Sequence, residues 1–403
     1  MKYIKNKKNS GIKIGIVLLI VALVVIPSVQ AENSNVAKVT LKISENKSWT
    51  MLFYIDDDYQ DGGDFLETIF IDEISSNENL NVVVIQDKLD GPAFYYFIDE
   101  NHDKILLEEL GELNMADYQT LRDFINFGKD NYPADRYLLW VVDHGGAWKG
   151  ACMDDTNNEP AMSMDEIQQA LSESGGVDII SFLACLMSSL ESAYELRDLV
   201  DVYIGSEDLA YSSAWNGICG DTNQLLTDYP DLSSEEIGTE IVNFFQENHN
   251  PLADKLTMSA IRTNKVKALA DSVNELAKYF VTHWIRSYSL IKEAFDNTFL
   301  LSNWQEWAPV FEVYDLRGFL ENLPDSSRKQ VALDAFDDAV ITEVHGIDMT
   351  ETHGLSIFFQ PNISSYRLFK SYKSIQLGLD FTRDTLWNEF LFFFILTNIV
   401  LRK

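Results

Sequence analysis

Cysteine is scarce in this sequence: Cys152, Cys185 and Cys219 are the three in 403 residues. That excludes a small scaffold stapled by disulfides, which needs a dense and usually even set. Pairing of Cys152 with Cys219 would leave Cys185 free, and three unpaired thiols are equally allowed. Proline is also sparse, at 9 residues, and no tract is of low complexity, which excludes a fibrous or proline-rich disordered chain. Basic residues number 31 against 63 acids, a net charge of −32. A surface of that sign repels nucleic acid and anionic membranes, so neither is expected as a partner. It keeps a protein soluble, can attract basic substrates and offers carboxylates to divalent cations. Histidine is limited to 6 residues, scattered without metal-ligand spacing.

What is present is the composition of a globular protein, 46% apolar and 12% aromatic. The first 31 residues stand apart. Lys2, Lys5, Lys7, Lys8 and Lys13 precede the wholly apolar run Ile14–Ile26, and Val29-Gln30-Ala31 supplies small residues for cleavage. This reads as a secretory signal peptide or, if uncleaved, an N-terminal anchor and the chain's membrane contact. In either case the body is expected outside the cytoplasm. Residues 32–48 form a polar entry segment, 49–250 the main α/β body, and 251–403 an α-rich region packing on it.

Within that body, Trp49–Ile55, Asn81–Gln86, Tyr137–Val142 and Val177–Phe182 are short β-rich apolar runs. They look like strands buried on both faces of a parallel sheet. Phe94–Ile98 and Lys104–Leu110 read as an antiparallel pair, and Val202–Ser206 as a further strand. Helical patterns cover Asp64–Ser75, Ala116–Phe127, Met164–Ser174 before Gly175-Gly176, and Ser188–Leu199. Strands alternating with helices predict a three-layer α/β/α sandwich with a mostly parallel sheet. Further on, 264–287 and 327–344 read as helices, Gly354–Phe359 as a late strand, and Leu386–Leu401 as a buried terminal helix.

Two strand ends carry chemistry. His144-Gly145 follows Tyr137–Val142, and Ala184-Cys185 follows Val177–Phe182. Sites in open α/β sheets form outside the carboxyl ends of strands, so a thiol and its base can meet there. The N–H groups of Gly145 and Cys185 are natural oxyanion donors. A helix following Cys185 would lower its pKa through the N-terminal dipole. Each residue taken singly also has an ordinary reading, a core thiol and a satisfied strand-end imidazole. Asp143 is set aside as a partner for His144, because neighbours along a strand point to opposite faces. Trp148 and Trp215 suit either a cleft wall or ordinary packing. Asp56, Asp58, Gln60 and Glu67 fall at EF-hand ligand positions, but the position that needs Gly is Asp61, and no calcium loop is assigned.

Six stretches carry a family resemblance: WTMLFYIDDD at 49–58, LLWVVDHGGAW at 138–148, DIISFLACLMSSLESAYEL at 178–196, YIGSEDLAYSSAWNG at 203–217, GLSIFFQ at 354–360 and LDFTRDTLWNEFL at 379–391. Together they resemble the clostripain family, within the caspase, legumain and gingipain group of cysteine peptidases. The resemblance implies a caspase-like fold and a secreted cysteine endopeptidase working through an acyl-enzyme. His144 would be the general base and Cys185 the nucleophile. It implies a peptide or protein substrate and no cofactor for the chemistry. Calcium, to which the family often responds, would bind somewhere on the acidic surface.

Two departures stand out. The family generally has Asp two residues before the Cys, where it receives a basic P1 side chain, and this chain has Leu183. An apolar residue cannot pair with a guanidinium. Basic P1 specificity is therefore open, with Glu207 as a substitute acid, Ser206 and Trp215 as further substrate contacts, and an apolar P1 as the alternative. Relatives also often cut themselves between His and Cys after a basic residue, and Lys149 is the sole basic residue between His144 and Cys185. The other readings that keep this fold are a non-catalytic binding relative and a thiol transpeptidase.

Overall fold

The first strand decides the architecture. Lys47–Asp57 (β1) is apolar without alternation and is buried from Trp49 onward, which requires a layer on each side. In this computed structural model, residues 46–58, 64–157, 161–249, 255–301, 313–359, 369, 372 and 378–401 are described. The leader at 1–31 and nearly all of the entry segment lie outside them.

From β1 the chain passes through a single π turn at Leu66–Phe70 into β2 (Leu80–Lys88). That turn replaces the longer helix expected at Asp64–Ser75. Strands β3 (Ala93–Ile98) and β4 (Lys104–Gly111) follow, and then α1 (Tyr118–Asn131), whose Asp117 caps the N-terminus by accepting from Gln119 N–H. Next come β5 (Ala134–Val142), α2 (Met164–Ser174), β6 (Ile179–Leu183), α3 (Leu190–Glu195) and β7 (Val202–Gly205). Helix α2 stops at Gly175, which is left-handed at φ 79°, a conformation glycine adopts without strain. Helices α4 (Ile218–Asp228) and α5 (Ser234–Asn248) precede β8 (Thr257–Arg262), which leads into α6 (Thr263–Thr282). The remainder is α7 (Trp284–Asp296), β9 (Val313–Asp315), α8 (Leu316–Asn322), α9 (Ser327–Ala339), β10 (Val340–His345), β11 (Ser356–Phe358), α10 (Asp380–Asp384) and α11 (Trp387–Leu401).

Nine strands form one sheet in the order β10-β8-β7-β6-β5-β1-β2-β3-β4, and β9 and β11 pair separately. The five central strands run parallel, while β3, β4, β8 and β10 flank them through antiparallel pairings. The chain leaves β1 toward β2 and returns on its other side as β5. The winding therefore reverses at β1/β5, and a crevice opens outside the carboxyl ends of those strands.

Strand pleat sorts the core into two apolar clusters. Leu139 and Val141 face one with α1, α2, α3 and α6; Leu138, Trp140 and Val142 face the other with α4 and α5. This is the three-layer sandwich that the alternation predicted.

Three differences follow from non-local pairing. The helical pattern at 327–344 stops at Ala339, because the β-branched run Val340-Ile341-Thr342 instead pairs antiparallel with β8. Strand β8 was not foreseen, so the sheet continues past residue 250 into the region expected to be α-rich. The strand within GLSIFF pairs with β9 outside the main sheet, and its Ser356 bridges Ser189. Helix α11 buries Trp387, Phe390, Leu391, Phe394 and Ile395. Among the described residues no helix is long and apolar enough to cross a membrane.

Candidate active site

Strands β5 and β6 run parallel in register, Val142 beside Leu183. The loops leaving them are therefore neighbours from the start. Asp143 N–H donates to Leu183 O at 3.4 Å and extends the ladder by one rung. Beyond it the two loops touch. A Cβ built on Gly145 would lie 2.3 Å from the carbonyl oxygen of Cys185, a contact no real Cβ makes. Only glycine lets the backbone that carries His144 come this close to the backbone that carries Cys185. The His144 loop then folds back, with Cys152 N–H donating to His144 O at 3.2 Å and Gly146 N–H to Gly150 O at 2.9 Å. Those bonds leave the Gly145 N–H unused. Among the described residues neither it nor the Cys185 N–H donates a hydrogen bond.

His144 is exposed and Cys185 half-buried, and both open on a cavity of about 190 Å³. Phe65, Leu209, Ala210, Tyr211 and Trp215 make most of its wall. Phe65 and Trp215 meet edge to face at 5.3 Å. Phe65 is held by Asp57, whose carboxylate accepts its N–H at 3.2 Å and Gln86 Nε2 at 2.6 Å. A larger space of about 620 Å³, between Tyr288, Phe295 and Phe394, is lined by no thiol or imidazole.

The Cys185 thiol lies against Ala210, with Ala210 N–H donating to Sγ at 3.3 Å. Burial pushes its pKa up to about 11, opposed by that N–H and assisted by Asp208 and Asp143. At neutral pH on the order of one molecule in 10⁴ would then carry thiolate unaided, so attack by this thiol would need a base. The expected helix dipole does not help it. Helix α3 begins only at Leu190, after Leu186 has turned left-handed at φ 64°. Such a turn costs a leucine about 1 kcal/mol, and the Leu186 N–H bond to Asp208 O at 2.9 Å helps hold it.

The remaining expected residues divide. Trp215 lines the cavity. Leu183 is fully buried and belongs to the same apolar cluster as Phe65 and Trp215, without being part of the lining. Ser206 and Glu207 are buried as well. Ser206 Oγ shares a hydrogen bond with Thr257 Oγ1 at 2.8 Å, and Glu207 accepts the Gly354 N–H at 2.7 Å. Both are occupied inside the protein rather than presented to substrate. Trp148 is core, edge-on to Phe358 and Tyr372. All three cysteines are free, and Cys152 and Cys219 lie in different clusters on opposite faces of the sheet, which precludes their pairing.

Sequence reasoning missed Asp143 as a cavity residue. It turns inward, where one carboxylate oxygen accepts the Met153 N–H, and the backbone of His144 also bonds to it. Burial pushes its pKa well up, and Asp57 and Asp155 add to this, which favours the protonated form. Ala210 and Leu209 were also missed. Their contribution is backbone and position, and the signal was the AYSSAW segment itself.

The clostripain family profile matches residues 63–394. Clostripain from Hathewaya histolytica is 30% identical over 217 residues, which are 42% of this chain and 41% of that protein. The chain thus aligns with less than half the length of that relative. A secreted C11 cysteine protease from Bacteroides thetaiotaomicron, solved with an irreversible peptide inhibitor, superposes with a TM-score of 0.64 at 17% identity, over 82% of this chain and 98% of that one. An inactive zymogen C11 protease from Parabacteroides distasonis gives 0.63 at 20%, over 84% and 98%. At these identities the likeness to the solved structures is one of fold.

Proposed function

The chain belongs to the clostripain family of cysteine peptidases, and from that premise we propose that it is an endopeptidase whose nucleophile is Cys185 and whose general base is His144. The observation that carries the proposal is the contact of the two loops at Gly145, where a β-carbon would strike the Cys185 carbonyl.

In the proposed reaction His144 takes the thiol proton as Sγ attacks the scissile carbonyl carbon. The carbonyl oxygen gains the electron pair and is met by the N–H groups of Gly145 and Cys185. Collapse of the adduct breaks the C–N bond, and His144 returns the proton to the leaving amine. Water, deprotonated by the same imidazole, then cleaves the thioester and frees the acid and the thiol. No cofactor is needed for these steps.

An apolar or aromatic P1 residue fits the cavity. Its walls are largely apolar, Leu183 contributes no charge, and burial disfavours the charged form of Asp143. A space of about 190 Å³ accepts a ring, since a cavity of about 150 Å³ binds benzene. The proposal includes an extracytoplasmic location, supported by the lysine-rich start and the apolar run Ile14–Ile26. A peptide library varied at P1 tests it. Cleavage after Phe, Leu or Met, abolished in Cys185→Ala, is expected. Preference for Arg or Lys would overturn the pocket reading, and equal cleavage by wild type and variant would overturn the nucleophile.

A further inference from the structure

With 63 acids against 31 bases in the chain, an arginine without an acceptor is the exception. Among the described residues, Arg122, Arg197, Arg262, Arg317 and Arg383 pair with Asp or Glu, and Arg136 donates to two carbonyl oxygens. Arg286 and Arg328 have no such partner, and both line one cavity of about 200 Å³. It lies between α6, α7 and the turn from α8 into α9. Its floor is apolar: Leu276 and Phe280 of α6, Ile291 of α7 and Leu323 are buried there. Ser287, next to Arg286 on α7, also lines it. This serine is 5% exposed and its hydroxyl has no hydrogen bond, although buried hydroxyls normally find one. Arg328 lies over the Tyr279 ring at 4.7 Å, and that ring stacks on His283 at 4.3 Å. The acid of the lining, Asp325, is engaged by Lys329 at 3.2 Å.

We propose that this cavity binds a small amphiphilic carboxylate, with an aromatic or branched aliphatic body on the apolar floor and the carboxylate at the two guanidinium groups. Simpler ligands use half of the site. A bare anion leaves the floor unfilled, and a neutral hydrocarbon leaves both arginines and the Ser287 hydroxyl without an acceptor. A planar guanidinium meets a carboxylate with two parallel N–H donors and keeps its charge at any working pH. Stacking on Tyr279 already orders Arg328, which lowers the entropic cost of holding an anion. A cavity of about 150 Å³ binds benzene, so about 200 Å³ takes a ring and leaves the charged end at the rim. Arg286 and Arg328 are exposed, which gives the ligand an entry path. The lining includes neither His144 nor Cys185, so the proposal stands apart from the peptidase reading.

The test titrates 3-phenylpropionate into the full chain, read by ligand-observed NMR and calorimetry. Saturable binding with a Kd of about 1 mM or tighter is expected. Arg286→Gln and Arg328→Gln, both on the surface and safe for folding, should each weaken it about tenfold. 3-Phenylpropanamide, of the same shape without the charge, and propionate, which lacks the ring, should bind about tenfold more weakly or worse than the acid. Trp215→Ala, in the other cavity, should leave binding unchanged. Loss of binding in Trp215→Ala with none in Arg286→Gln would assign the ligand to the cavity beside Cys185 and overturn the proposal. So would an absence of saturable binding, or the amide or inorganic phosphate binding as tightly as the acid.

Discussion

A single methyl group at Gly145 tests the proposed dyad most directly. In Gly145→Ala the new Cβ would stand 2.3 Å from Cys185 O, with Met187 Cγ at 2.9 Å and Sδ at 3.0 Å. The methionine side chain can swing aside, but the carbonyl cannot. Ordinary contact begins near 3.4 Å, so the two loops must separate by about 1.1 Å. A misplacement of about 1 Å at a reacting centre costs on the order of 10²-fold in rate, near 2.7 kcal/mol. Overpacking alone would cost about 1–3 kcal/mol of stability, spread between the loops. The assay is kcat/KM on the best library peptide, with melting temperature measured in parallel. The loss should fall mainly on kcat, because the cavity walls Phe65 and Trp215, the proposed P1 contacts, are not touched by the change. Labelling of Cys185 by a small alkylating agent at high pH should persist, since the thiol itself is untouched. A folded variant that keeps more than about a third of wild-type kcat/KM would refute the reasoning.

The remaining predictions concern the wall and the buried acids. Trp215→Ala should reduce kcat/KM for an aromatic P1 by about 10- to 100-fold through KM, and have less effect on a P1 alanine. An equal loss on both substrates would count against the cavity as the P1 site. Burial pushes Asp57, Glu191 and Glu195 up to about 7 and Asp87 up to about 8. Unfolded, these acids lose their protons near pH 4, so between about pH 4 and 8 the folded state holds protons that the unfolded state has lost. Stability should therefore fall as pH rises through that window, and the melting temperature in chelator should drop from pH 5 to pH 8. A flat or rising profile would contradict these environments. Glu191 Oε1 accepts from Phe358 N–H and Tyr372 Oη–H, both at 3.0 Å, which ties α3 to β11. Glu191→Gln keeps that acceptor without the charge and should flatten the same profile; an unchanged slope would remove Glu191 from the account.

Much of this was legible along the chain, because an apolar run and its terminal residues are local facts. The strands that deliver His144 and Cys185 were located within two or three residues at their starts, and α2 with its Gly175 stop lay where expected. The C-terminal third was less legible. β8 pairs with β7 and with β10, the latter across some eighty residues, and nothing near Val340 announces its partner. The helix after Cys185 was misjudged for a similar reason, since a left-handed Leu186 and the bond to Asp208 divert the chain before α3 can begin.

The sequence by itself determined the layers, the parallel centre and the pair of strand ends, since periodicity and β-branched content act over a few residues. Tertiary structure decided which ends meet, because that depends on strand order and register. It alone put Cys152 and Cys219 on opposite faces and buried Leu183 within the cluster of the cavity's aromatic walls. It turned Glu207 inward to Gly354. It also brought Arg286 and Arg328 from separate helices to one cavity. Pleat parity and sheet order are properties of the whole sheet, and no window of sequence contains them.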